Sequence, residues 1–263
     1  MTNILFSSGV RQLFKTAVVI ATFAASSLAN ATIVEFETSQ GNFQVNLYDQ
    51  TTPKTVENFL AYIEQGHYTN SVIHRAIPNF IVQGGGYSFS GTWPLTRLSP
   101  NAKVVNEPIY SNVKGTIAMA KQASDPNSAT DQWFFNLVDN SSNLDVQNSG
   151  FTVFGQVTGD GMTVVEKIVG LSLCNEIPMV DYSAQNCANQ TVPGLENFVV
   201  INQITIVDSS SATETNVSKP KNTLINKQPS SNSNDSSGGG TFGFSSFILL
   251  ALAFSRKLKL NNK

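Results

Sequence analysis

The run His74-Arg75-Ala76-Ile77-Pro78-Asn79-Phe80-Ile81-Val82-Gln83-Gly84-Gly85 brings an arginine, an aromatic ring and a side-chain amide together at short, strand-like spacing. A guanidinium stays charged at any working pH and carries its N–H donors in a rigid fork, so it can be aimed at an electron pair that develops only in a transition state. Two further segments, Gly115-Thr116-Ile117-Ala118-Met119-Ala120-Lys121 and Ser128-Ala129-Thr130-Asp131-Gln132-Trp133-Phe134-Phe135-Asn136, add Gln132 and Phe134. Leu144-Asp145, Phe151 and Val153-Phe154-Gly155 supply more apolar surface. Such a set suits apolar and electrostatic holding of a substrate rather than covalent attack. His67 and His74 are the only histidines and no Gly-x-Ser-x-Gly elbow occurs, so a Ser-His-Asp hydrolase is not read here and His74 reads as structural. Two cysteines and two histidines are too few for a metal site, and no cofactor is expected.

These residues need a scaffold, and the hydrophobic pattern sketches one. Residues 32–48 alternate apolar and polar side chains around Ser39-Gln40-Gly41-Asn42, with Ile33, Val34 and Phe36 before it and Phe43, Val45 and Leu47 after it, which predicts an opening hairpin. Thr52-Pro53 reads as a cap followed by proline at the first helical position. Val56, Phe59, Leu60 and Ile63 then recur at helical spacing, and Gly66 ends the run. Strand character follows at 72–82, closed by Gly84-Gly85-Gly86, and again at 115–120, 132–138, 152–157 and 198–207. A second helix is expected from Asp160 as N-cap, with Met162, Val165, Ile168 and Val169 on one side. Many short strands with two distant helices predict a mainly β fold, a closed antiparallel β-barrel capped by two α-helices.

The arginine segment resembles the signature strand of cyclophilins, and the segments from Gly115 and Ser128 resemble that family's second signature, especially in its bacterial periplasmic branch. The resemblance covers about residues 32–208. It implies a cyclophilin-like barrel and a peptidyl-prolyl cis-trans isomerase that assists folding of exported proteins. Rotation about an Xaa-Pro bond breaks no covalent bond; the barrier of roughly 18–20 kcal/mol comes from lost amide resonance. At the twisted state the prolyl nitrogen regains a lone pair, and a guanidinium aimed there binds the transition state better than the flat ground state. The resemblance assigns that role to Arg75, with Phe80, Gln83 and Gln132 beside it, the two amides holding the peptide backbone or orienting Arg75. It places Ile81, Phe134, Leu144 and Phe151 with Phe80 around the proline ring, and the backbone of Ala120 and Lys121 beside the residue preceding proline. The alternative is a binding module for proline-containing peptides with little turnover.

The sequence also departs from the family pattern. Asn143 falls where many members carry tryptophan, Phe151 where histidine is frequent, and Trp133 where phenylalanine is usual. Because that tryptophan serves chiefly in binding cyclosporin, weak affinity for the drug is expected.

Bulk composition narrows the partners. With 13% charged residues, a formal net charge of -2 and no basic stripe, a polyanion such as nucleic acid is not an expected partner. A monomer is expected, though nothing in the composition decides it. Arg11 and Lys15 precede an apolar stretch through Val18, Val19, Ile20 and Phe23, which ends in Ala29-Asn30-Ala31. This is the layout of a signal peptide over residues 1–31, cleaved before Thr32, so the chain is expected in the periplasm, on the cell surface or secreted. In such an oxidising compartment Cys174 and Cys187 can pair, contributing about 2–3 kcal/mol; the alternative is two free thiols. Residues 209–237 read as a disordered linker rich in Ser, Thr, Asn and Lys. Residues 238–263 run from Gly238-Gly239-Gly240 through an apolar stretch to Arg256, Lys257, Lys259 and Lys263. They resemble the Gly-Gly sorting signals that a rhomboid-type membrane protease removes in some Gram-negative bacteria, with a plain membrane anchor as the alternative.

Overall fold

The computed structural model describes residues 32–209 and 219–226. The expected signal peptide and the C-terminal segment 238–263 lie outside the described residues.

The opening hairpin forms as its alternation predicts: β1 (Ile33–Thr38) and β2 (Gly41–Leu47) pair antiparallel, with Phe36 opposite Phe43. Helix α1 (Pro53–Glu64) follows and buries Val56, Phe59 and Tyr62. Its N-terminus differs from expectation. Thr52 makes no side-chain cap; its hydroxyl donates to the Tyr48 carbonyl. The orphan amide of Thr55 and the Thr55 hydroxyl instead donate to Glu107, at 2.9 and 2.7 Å. A carboxylate at a helix N-terminus satisfies both the free donors and the helix dipole.

The single strand-like stretch expected at 72–82 is divided into β3 (Ser71–Val72), β4 (Arg75–Ile77) and the start of β5 (Ile81–Gly84), with Pro78 to Phe80 as the turn between β4 and β5. Two short strands follow, β6 (Tyr87–Ser88) and β7 (Thr96–Arg97). Then come β8 (Thr116–Met119), β9 (Trp133–Asn136), the short helix α2 (Ser141–Leu144) and β10 (Val153–Val157). Helix α3 (Gly161–Val169) starts after Asp160 as expected, though no side-chain cap bond forms there. The hairpin of β11 (Ser172–Cys174) and β12 (Ile177–Met179), helix α4 (Ala184–Ala188) and the long β13 (Val200–Asp208) complete the order.

Eleven strands form one curled antiparallel sheet in the order β4-β5-β9-β8-β10-β2-β1-β13-β3-β6-β7, and β11-β12 form a separate ribbon. The mainly β class and the two main helices agree with expectation; closure does not, because β4 and β7 are unpaired edges of this ladder. Strand periodicity assigns the faces. Ala76, Val82, Ile117, Met119, Trp133 and Phe135 point into the main core, where the Phe36 ring meets those of Phe43, Phe59, Trp133 and Phe135 at 5.0–6.2 Å. Their neighbours Ile81, Ala118 and Phe134 point the other way, into a second cluster with Tyr48, Tyr110, Leu144, Phe151 and Val153. The candidate site lies on this outer face.

Candidate active site

Register places the site residues in one row. Arg75 pairs with Gln83, Gln83 with Phe134, and Phe134 with Ala118 across β4, β5, β9 and β8. Residues directly opposite share a face, and two strand spacings put Arg75 about 10 Å from Phe134 along the sheet. The Gln83 amide donates to the Gln132 side-chain oxygen at 2.8 Å. The Ala120 N–H donates to the Gln132 carbonyl, so what Ala120 offers a chain laid beside it is its own carbonyl. Glycines make room here: a Cβ on Gly86 would fall 2.6–2.8 Å from Gln132 side-chain atoms, and one on Gly85 would strike the Asp131 carbonyl at 2.5 Å.

Phe80 is fixed from behind by a buried amide network. Its carbonyl accepts from Asn140 at 3.0 Å, Asn140 also donates to Asn136 at 2.8 Å, and Asn136 donates to Asn112 and Thr116. Asn112 in turn donates to the Asp145 carboxylate through its backbone and its side chain, at 2.8 and 3.0 Å. One network therefore ties the Phe80 turn to both ends of α2, at Asn140 and Asp145, and gives these buried amides their partners.

The apolar residues expected around a proline ring are closed over in this structure. Ile81, Phe134 and Leu144 are wholly buried and Phe151 is 2% exposed, so they pack as a small core. Phe151 stands edge-on to Phe134 at 5.8 Å. Arg75, Phe80, Ala120 and Gln132 are the members that reach solvent, while Gln83 is buried. A proline ring that reaches Phe134 must part this cluster.

Lys121 carries more than the backbone role expected of it. Its ammonium is buried, donates to the carbonyls of Asn148 and Gly150, and lies 4.8 Å over the Phe151 ring. Burial lowers its pKa to about 8, which still leaves it largely charged at neutral pH. Residues 219–226, inside the expected linker, also reach this region. Ser111 donates to Pro220, Asn222 N–H to Ile109, and the Asn222 side chain to the Asp145 carbonyl just beyond α2. Lys219 lies 4.8 Å over the Tyr48 ring.

Two neighbours escaped sequence reasoning. Asp131, next to Gln132, is fully buried and accepts two bonds from Arg97 at 2.7 Å and one contact from His67 at 3.1 Å. Burial alone would raise its pKa; His67 and Arg97 outweigh that and hold it at about 2. The second is Glu176, at the tip of the β11-β12 hairpin, whose Oε2 accepts from Arg75 Nε at 2.7 Å. His74 is held neutral: burial, then the Arg97 charge, lowers its pKa to about 4, and its ring packs on Tyr87 at 4.7 Å. Cys174 and Cys187 form a disulfide that joins β11 to α4. Among the described residues no cluster of His, Cys, Asp and Glu is arranged to hold a metal ion.

The curled antiparallel half-barrel thus carries an arginine, two amides and an aromatic turn on one outer face. The family model for the cyclophilin type peptidyl-prolyl cis-trans isomerase/CLD matches residues 33–188. A peptidyl-prolyl cis-trans isomerase of Acinetobacter baylyi is 38% identical over 151 residues, covering 56% of this chain and 77% of the relative. Peptidyl-prolyl cis-trans isomerase B of Escherichia coli is 39% identical over 144 residues, 53% of this chain and 85% of that one. The solved structure of a cyclophilin type isomerase from Cryptosporidium parvum superposes with a TM-score of 0.50 at 22% identity, covering 67% of this chain and 97% of that one, which speaks to the fold. The chain belongs to the cyclophilin type peptidyl-prolyl cis-trans isomerase family.

Proposed function

We propose that this isomerase acts outside the cytoplasm on exposed Xaa-Pro bonds of exported proteins, with Arg75 as the group that stabilises the twisted imide. The carrying observation is the cross-strand row of Arg75, Gln83 and Phe134, flanked by Phe80 and Gln132 on one outer face. A client chain lies along that face with its proline against Phe80 and the apolar cluster behind it, and the Ala120 carbonyl and Gln132 amide hold its backbone. As the bond rotates, the prolyl nitrogen pyramidalises and the Arg75 guanidinium donates to its lone pair, an interaction the planar ground state lacks. No proton is transferred. Weak cyclosporin affinity belongs to the same reading, since Asn143 stands exposed on α2 where an indole would be needed.

Export has its own support. The Thr32 backbone N–H donates to Asp49 Oδ2 at 2.8 Å and its hydroxyl to Oδ1 at 2.7 Å. Cleavage before Thr32 would turn that nitrogen into an ammonium already facing a carboxylate. The disulfide fits an oxidising compartment. A membrane sorting protease acting on residues 238–263 completes this reading.

A protease-coupled assay with an Xaa-Pro tetrapeptide tests the activity, and refolding of a substrate limited by proline isomerisation tests the service. Catalysis of both is expected, against an uncatalysed exchange of tens of seconds. Peptide binding without acceleration would instead make the domain a holder of proline-containing segments.

A further inference from the structure

We propose that Glu176 is a positioning residue for Arg75, and that the disulfide-stapled β11-β12 hairpin exists to present it. This rests on the isomerase reading and deepens it. Three observations converge on the hairpin tip. The Glu176 carboxylate takes the Arg75 Nε–H at 2.7 Å, and the Glu176 carbonyl takes the N–H of the next residue, Ala76, at 2.6 Å, so one residue grips β4 by side chain and backbone together. The loop between Cys174 and Ile177 has two residues, Asn175 and Glu176, both with positive φ, 51° and 69°. That conformation favours Asn-Gly; a glutamate in the second place carries a left-handed backbone that L side chains avoid. The hairpin base is tied through Cys174 to Cys187 on α4.

Stability does not explain the glutamate. Glu176 is half exposed, and an ion pair of that exposure contributes little to folding, while glycine at the same position would relax the turn. Geometry does explain it. Engaging Nε fixes the guanidinium plane, and among the described residues the two terminal nitrogens of Arg75 carry no hydrogen bond, which leaves that edge for the substrate. Arg75 is on the edge strand β4, without a further sheet neighbour to hold it; the hairpin supplies the missing side.

The test is Glu176→Gly in the full chain, a change that removes the carboxylate and relieves the backbone at once. The expected result is a raised melting temperature together with a fall in kcat of about tenfold and little change in KM, because a misaimed donor costs rate rather than binding. Glu176→Gln, which keeps an acceptor, should recover much of that loss. Replacing both Cys174 and Cys187 by serine should lower kcat in the native chain but add nothing further in the Glu176→Gly background. In NMR spectra the Arg75 Nε–H, assigned by its loss in Arg75→Lys, should exchange slowly with water in the native chain and quickly in Glu176→Gly. Unchanged or raised kcat in an active Glu176→Gly enzyme overturns the positioning role alone. An inactive native chain refutes the isomerase reading and this inference with it.

Discussion

At the scale of single residues, the candidate site combines one charge held by a partner carboxylate with a buried amide frame, and each part has its own signature. On the proposed reading Asn143 stands where cyclosporin would need a flat apolar partner, so titration of the native chain should show weak binding and Asn143→Trp should tighten it; a nanomolar complex with the native chain would contradict the alignment of Asn143. The buried titratable groups set an acid limb of stability. His74 stays neutral down to about pH 4 when folded, while an unfolded chain protonates it near 6.5. The unfolded state therefore binds more protons between those values, and stability falls as pH drops from about 6.5 to about 4. Asp131 continues the decline: its depressed pKa contributes stability that is whole above about 3.8 and lost as pH falls toward about 2. Urea unfolding at a series of pH values checks this, and His74→Gln should flatten the upper part of the slope alone. Arg75, Phe80, Gln83, Gln132 and Phe134 were legible in the sequence because short-range motifs carry them. Glu176 was not, because its bond to Arg75 spans 101 residues and depends on a turn whose second residue breaks the usual glycine preference.

At the scale of elements, periodicity found those with a buried face and missed those held by something else. The hairpin β1-β2, helices α1 and α3 and the long strand β13 each carry enough apolar repeats to be read directly. The two-residue strands β3, β6 and β7, the stapled ribbon β11-β12 and the short helix α4 do not, since hydrogen bonds to distant segments and a covalent bridge define them. The N-terminus of α1 is a case in point. Its partner Glu107 lies 52 residues away, where local capping rules do not look. Residues 219–226 have composition typical of a linker, yet their backbone closes hydrogen bonds on either side of Tyr110 and the Asn222 side chain donates to the Asp145 carbonyl. Comparing chains that end at residue 208 and at residue 226 isolates that strap. Among the described residues, four hydrogen bonds join residues 219–226 to the domain; with net values near 1 kcal/mol per bond, the shorter chain should lose about 4 kcal/mol of stability. Coincident melting curves for the two would show that the strap contributes nothing.

At the scale of the whole molecule, an open half-barrel gives its inner face to an aromatic core and presents the candidate site on its outer face, so the proposed chemistry and the main core occupy opposite sides of the same strands. The export proposal adds a prediction about the N-terminus. Mass spectrometry of the mature protein should find Thr32 first, and Asp49→Asn should destabilise that mature chain, which carries the ammonium, more than the uncleaved one, which carries an amide. A mature chain that retains Met1 would contradict the export reading. The proposed catalysis turns on Arg75, and the most direct test is the turnover number for an Xaa-Pro peptide measured on the native chain and on Arg75→Ala. The account predicts that kcat falls about a hundredfold to a thousandfold while peptide affinity changes little, as expected for a group that acts only on the twisted state. Equal turnover by the two chains would contradict it.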